Sequence, residues 1–503
     1  MIYSERTLSK TGESIPLFTD NKPMHSKYNP HAERITENVR DGFYLIGGIG
    51  GSYHLEYLLN QLGEESFILA VEADRESLDF SLESGVTARV KDDERIQFCT
   101  LDEVSNLLKQ VYLPVLYPSF YFLVQRSWED HAGNAAKSIK KAVEETLPSI
   151  SADYSVQAHF GKQWQGNIMQ NLVRIADCPA PFIPPGKTAC VIAAGPSLDR
   201  SIEELKRELD TCVVFCTDTA CQILRKHSVE PDYIVSIDCQ KLSLEHFRLP
   251  SSSSCGKKAT VILDLGSSPD IARFVERQGH KVYFTSSLHP LSKMASEEFR
   301  IPIVRSGSGT VAIAACDIAR LCGARKIRLY GADFSYSGGK PYARGTYLDS
   351  IYGRGSGRTC SSESLFTSLM FRTKLRECRP LFSVDLENPM TSDVLESYSN
   401  ALCSWAEENS YKHERDCFIL KGRSESFLPD QKKINGGKFI LELVKKVGEL
   451  SAKSLGELKK DEYFYSLLPF LAWQKNMLND KKVSIFEHLK LAYDDINRYT
   501  NII

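Results

Sequence analysis

The chain has 503 residues, 42% of them hydrophobic and 25% charged, with a formal net charge of -2. That length suits two to four compact domains with ordinary cores, and the near-neutral balance gives no electrostatic reason to expect nucleic acid or an acidic membrane as a partner. Met1 to Asp20 lacks the apolar core of a signal peptide, and no run approaches a membrane span, so a cytoplasmic protein is expected.

Fourteen cysteines are scattered without C-x-x-C or zinc-ligand spacing. Free thiols are expected. Cys212 and Cys216, on one strand, would stand roughly 13 Å apart, beyond disulfide reach.

In chain order, residues 1 to 40 read as a polar lead-in. Phe43-Tyr44-Leu45-Ile46 then reads as a strand, Gly47 to Gly51 as a glycine loop, Tyr53 to Leu62 as a helix, and Phe67 to Val71 as a second strand ending near Glu72 and Asp74. This is the layout of a dinucleotide- or adenosylmethionine-binding unit, with an acid placed to grip a ribose. Glycines equally permit close helix-strand packing in a domain that binds nothing, and both readings stand. Arg95 to Cys99 and Leu113 to Val124 extend this first domain to residue 125. Helices over Glu129 to Leu147 and Lys162 to Ile175 make a connector, 126–186, closed by a cluster of prolines.

From 187 to 390 short β-rich runs alternate with helices, which predicts a mainly parallel, doubly wound sheet. The strands expected are Ala189 to Ala194, Cys212 to Thr217, Tyr233 to Ile237, Thr260 to Leu263, Val282 to Thr285, Pro302 to Arg305 and Lys326 to Tyr330. Residues 391–503 read as a helical C-terminal region. The fold class is thus α/β: a Rossmann-like N-terminal domain, a central doubly wound parallel sheet and a helical tail.

Ligands in such sheets sit beyond the carboxyl ends of the strands. There the sequence collects Gly195-Pro196-Ser197, Asp218, Asp238, Asp264, His289, Ser306-Gly307-Ser308-Gly309-Thr310 and Asp333. Two glycine turns leading into helices offer backbone donors for phosphate and suit a nucleotide diphosphate or a nucleotide-activated sugar. No P-loop and no D-x-D pair is present, and no metal is expected. Tyr336 and Tyr342, in the loop after the last strand, are placed to donate to a departing phosphate, and Lys340 to add charge. His289 is the candidate general base, with Asp218 as the alternative.

Ala193 to Asp199, Thr217 to Ala220, Pro231 to Asp238, the Ser-Gly turn and Gly331-Ala332-Asp333-Phe334 together resemble the MptE-like domain of archaeal 6-hydroxymethylpterin diphosphokinases and bacterial motility-associated factors. Ser26 to Pro30, the turn Gly47 to Gly51 with Tyr53-His54-Leu55, and Phe160 to Trp164 with Asn167 and Asn171-Leu172 resemble the motility-associated factors specifically. That resemblance implies transfer of a pseudaminic- or legionaminic-like nonulosonic acid from its CMP conjugate, with no further cofactor, to Ser or Thr of flagellin. It also implies a sialyltransferase-like central domain, in which Gly195, Pro196 and Ser197 hold the nucleotide while Tyr336 and Tyr342 face its phosphate. Ala194 stands where the sialyltransferases carry asparagine, and no histidine between His289 and His413 matches their downstream catalytic one. Two other readings are pyrophosphoryl transfer from ATP to a hydroxymethylpterin, with magnesium on Asp218, Asp238 or Asp333, and a non-catalytic flagellin-docking protein.

Overall fold

A computed structural model describes residues 1–117, 119–248, 258–305, 309–382, 386–478 and 484–502. Its contacts divide the chain into two units, 1–162 with 445–495, and 163–444 with 496–503.

The first unit opens with an antiparallel hairpin, β1 (Tyr3–Leu8) and β2 (Ser14–Phe18), followed by β3 (Phe43–Gly47), β4 (Phe67–Glu72), β5 (Ile96–Thr100) and β6 (Phe120–Val124). The last four form a parallel sheet in the order β5-β4-β3-β6. β3 and β4 are buried at every residue, as unbroken apolar runs covered on both faces should be. The helix Tyr53–Gln61 covers the sheet with Leu55, Leu58 and Leu59, spaced for one helical face. The strand expected from Leu113 is shorter than its apolar run. The N–H groups of Leu116 and Tyr117 both turn back to Leu113, because Pro114 has no hydrogen to give a ladder. The connector helices also differ from expectation: one helix, Gly133–Leu172, runs through Pro148. Buried Ile139, Val143, Ile168 and Leu172 along its length supply the packing that outweighs a proline cost of about 3 kcal/mol.

The second unit holds an eight-stranded sheet made of β7 (Thr188–Ile192), β8 (Cys212–Thr217), β9 (Tyr233–Ser236), β10 (Thr260–Asp264), β11 (Lys281–Thr285) and β12 (Lys326–Tyr330), extended by two later strands. A small pair, β13 (Arg376–Glu377) and β14 (Met390–Thr391), stands apart, and β15 (Tyr411–Glu414) and β16 (Cys417–Leu420) complete the large sheet. The order is β11-β10-β9-β8-β7-β12-β16-β15, parallel from β11 to β12 and antiparallel at the last two. β15 and β16 lie inside the stretch read as helical tail. They are four residues each, joined at Arg415 and Asp416, and Arg415 has a φ of 56°. Pro302 to Arg305 is not a ladder strand. It touches β11's end through one parallel bridge, Ser286 to Ile303. The helix Val311–Leu321 packs on β7, β8 and β9 and is buried at nine positions, which its Ala-rich, all-round apolar sequence requires.

Every described cysteine is a free thiol. Among the described residues no helix is long and apolar enough to cross a membrane.

Candidate functional site

The chain steps outward from β7 to β11 and then returns to β12 on the other side of β7. The crevice between β7 and β12 is therefore the switch point of the sheet, where open α/β sheets bind ligands. Two glycines let the loops leaving these strands meet. A Cβ on Gly195 would lie 2.5 Å from the Gly331 carbonyl, and one on Gly331, whose φ is +64°, would lie 2.3 Å from the Ala193 carbonyl. Gly195 N–H donates to the Gly331 carbonyl at 2.8 Å, closing the junction.

Beside this junction lies a groove of about 450 Å³. Its walls include Ala194 and Gly195 after β7, Thr217 and Thr219 around the end of β8, Asp238 after β9, and Gly309 to Ala312 at the start of the buried helix. Asp333, Tyr336 and Tyr342 come from the loop after β12, and His246, Tyr347, Leu395 and Tyr398 complete it. The structure thus brings Gly195, Asp238, Gly309, Thr310, Asp333, Tyr336 and Tyr342 to one place. Ser306, Gly307 and Ser308 lie outside the described residues.

Among the described lining residues none is Lys or Arg, so an anion here meets neutral donors. Burial, then the neighbouring hydroxyls of Tyr347 and Tyr336, pushes the Tyr342 phenol up to about 12. Burial also raises Tyr336 and Tyr347. All three keep their protons at neutral pH and remain donors. The helix Val311–Leu321 points its N-terminus, the positive end of its dipole, into the same space.

The family model described as 6-hydroxymethylpterin diphosphokinase MptE-like matches residues 162–339. A Treponema pallidum (strain Nichols) protein described as uncharacterized is 31% identical over 170 residues, covering 32% of this chain and 80% of its own. A second, also uncharacterized, is 30% identical over 254 residues, covering 50% of this chain and 81% of its own. Among solved structures, the Maf glycosyltransferase of Magnetospirillum magneticum AMB-1 aligns with a TM-score of 0.50 at 12% identity, over 99% of this chain and 91% of that one. The chain belongs to the MptE-like family, with the fold of the motility-associated factors.

In this MptE-like protein the Gly-Pro-Ser turn is arranged otherwise than a phosphate cradle. The Asp333 carboxylate accepts the Ser197 N–H at 2.7 Å and the Ser197 hydroxyl as well. Those two donors are therefore turned to the protein, and Pro196 and Ser197 stand behind the groove wall. Asp218 is buried at the start of the helix Asp218–Lys226, accepting from Thr219 N–H at 2.7 Å, Thr219 Oγ1 at 3.1 Å and Ser236 Oγ at 2.6 Å. Asp238 accepts from Gln240 N–H at 2.9 Å and Ser243 Oγ at 2.6 Å.

His289 does not line the groove. It caps the helix Pro290–Phe299, Nδ1 accepting from Leu291 N–H at 3.2 Å, with its ring edge on Trp164. Burial pushes its imidazole down to about 3. A base that weak and so placed cannot take an acceptor proton in this groove. Lys340 faces Asp199, 3.6 Å away, and is also outside the lining. The histidine that does line the groove, His246, follows β9 and stands edge-on to Tyr347 at 4.4 Å. Its signal in sequence is weak, since it lies ten residues beyond the carboxyl end of β9.

The family-specific motif on the long helix has a positioning task. Gln163 Nε2 donates to Cys239 O at 2.6 Å, Asn167 Nδ2 to Cys239 O and Gly266 O at 3.0 and 2.8 Å, and Asn171 Nδ2 to Leu265 O and Ser267 O at 2.9 and 2.8 Å. These amides tie down the loops after β9 and β10, the first of which leads to Asp238 and His246.

The N-terminal glycine turn is closed. A Cβ on Gly48 would lie 2.6 Å from the Trp128 ring, and one on Gly50 would lie 2.6 Å from Met24. Glu72, the acid read as a ribose grip, is wholly buried and accepts from Trp128 Nε1 at 2.6 Å, Tyr3 OH at 3.1 Å and Ile49 N–H at 3.2 Å. Asp74 caps the helix Arg75–Leu82 through Ser77 N–H at 2.8 Å. Both acids serve packing.

Proposed function

We propose that the groove seats a CMP-activated nonulosonic acid and that the protein, in the cytoplasm, transfers the sugar to a Ser or Thr hydroxyl of flagellin. The reading rests on one observation: the switch-point glycines, the N-terminus of the helix Val311–Leu321 and the side chains of Tyr336 and Tyr342 line a single groove. A glycosyltransferase-like fold agrees with it. In the reaction the bond from the anomeric carbon to phosphate breaks and CMP leaves with the electron pair, met by tyrosine donors and the helix dipole. The acceptor oxygen bonds to the oxocarbenium-like carbon while its proton passes to a base. Asp218 already accepts three hydrogen bonds, so His246 is the better-placed base within the groove.

The name of the matching family model favours a second reading, pyrophosphoryl transfer to a hydroxymethylpterin with magnesium on Asp218, Asp238 or Asp333. Against it, all three carboxylates are engaged by Ser, Thr or backbone donors. Incubation with a CMP-nonulosonic acid and flagellin should add the mass of one or more sugars to flagellin and release CMP, with EDTA present. AMP release from ATP and hydroxymethylpterin, abolished by EDTA, with no sugar added to flagellin, establishes the second reading instead.

A further inference from the structure

The sheet of the first unit has a switch point of its own, because β3 lies between β4 and β6. Its glycine turn is filled, but next to the filling side chains a cavity of about 570 Å³ opens by the carboxyl end of β6, at Val124 and Gln125.

Three histidines, His25, His54 and His131, stand in its wall, and the neighbours of the first two assign their protons. Gly51 N–H donates to His25 Nε2 at 2.8 Å, so Nδ1 carries the hydrogen and donates it to Glu33 Oε2 at 2.7 Å. His54 Nε2 lies 3.0 Å from the Gly48 carbonyl, which can only accept. Nε2 therefore carries the proton, and Nδ1 is left as an acceptor. His54 is 1% exposed, Nδ1 has no hydrogen-bond partner, and burial keeps the ring neutral by pushing it down to about 3. A buried acceptor with nothing to accept from is uncommon and calls for a donor.

The charge in the lining is also unbalanced. Arg34, its guanidinium 4.3 Å above the Tyr57 ring, and Arg126 are in no ion pair among the described residues. Glu33 spends its two oxygens on His25 Nδ1 and Ser26 N–H, which leaves Asp130 as the lining carboxylate without such a partner.

We propose that this cavity is a second ligand site, for a small anion that also carries hydroxyl groups, with Arg34 and Arg126 taking the charge and a hydroxyl donating to His54 Nδ1. Sugar phosphates and sugar acids share this chemistry. The proposal stands apart from the activity assigned to the other groove.

Calorimetric titration of the full chain with glucose 6-phosphate, N-acetylneuraminate, inorganic phosphate and glucose tests it. One of the two hydroxylated anions should bind with a Kd below about 1 mM, at least tenfold tighter than phosphate or glucose, and CMP should not displace it. Tighter glucose 6-phosphate assigns a phosphate, and tighter N-acetylneuraminate a carboxylate. Arg34→Gln/Arg126→Gln, at exposed positions that leave the core intact, should weaken binding about tenfold or more. His54→Phe, which keeps the ring and removes the acceptor, should weaken it as well. Neither anion binding with a Kd below about 1 mM, glucose binding as well as its phosphate, unchanged affinity in the arginine double variant or in His54→Phe, or displacement by CMP overturns the proposal.

Discussion

Both parallel sheets run from their first strand into a glycine turn, yet the two turns face opposite surroundings. After β3, the ring of Trp128 and the side chain of Met24 press directly on Gly48 and Gly50, and Glu72 is consumed in holding Trp128, Tyr3 and Ile49. After β7, the glycines bring two loops together and leave a groove lined by hydroxyls and a helix N-terminus beside them. A glycine in such a turn reports that something approaches closely. Whether that is a ligand or the protein's own side chain depends on residues far away in sequence.

Substitutions at the two turns break this comparison most sharply. Gly331→Ala places a methyl group 2.3 Å from the Ala193 carbonyl at a φ of +64°. Strain and overpacking together predict a loss of about 3–5 kcal/mol, read as a lower urea midpoint. An unchanged midpoint would refute the close approach of the β7 and β12 loops. Trp128→Phe keeps the ring over Gly48 but removes the hydrogen bond to Glu72. It should cost about 1–3 kcal/mol and leave CMP binding intact.

Within the open groove, Tyr342→Phe removes a donor but little volume. It should lower kcat about 10- to 100-fold with KM nearly unchanged, because in the proposed reaction the hydroxyl acts on the departing phosphate. A rise in KM alone would make Tyr342 a binding residue.

A smaller effect separates burial from chemistry in the second unit. Burial raises the Asp264 carboxyl to about 7, against the N–H of Gly266, which lowers it. Between the ordinary carboxylate pKa and that value the folded chain holds a proton that the unfolded chain has released. This contribution to stability is present at pH 3 and fades as pH rises through 7. Asp264→Asn should therefore stabilise by about 1–3 kcal/mol above pH 7 and by almost nothing below pH 4, in denaturation series across that range. The smallest effect is expected at Lys340, whose partner Asp199 lies 3.6 Å away at a partly exposed position. Lys340→Gln should change stability by less than about 0.5 kcal/mol and activity by less than about twofold.

Strong periodicity made much of this legible in the sequence. Cys212–Thr217 and Lys326–Tyr330 have the expected bounds, since each is a short β-rich run between clear stops. β15 and β16 were hidden because Lys412, His413 and Glu414 carry no apolar pattern and Arg415 makes the turn without a glycine or asparagine. Pro148 read as a helix end because the packing that overrides it is tertiary. In the groove, Gly195, Gly309, Tyr336 and Tyr342 were legible because all lie beyond the strands' carboxyl ends. Tyr398 and Leu395 were not, coming from a helix some sixty residues past β12. The bond between Ser197 and Asp333 could be seen only once β7 and β12 were neighbours.

Hydrogen-deuterium exchange of the full chain with and without CMP tests the central claim most directly, since it reads both turns at once. The account predicts slower exchange at 309–313 and 333–347, where the helix N-terminus and the tyrosines face the groove, and no change at 43–52. Protection confined to 43–52, or none anywhere with CMP at about 10 mM, would contradict it.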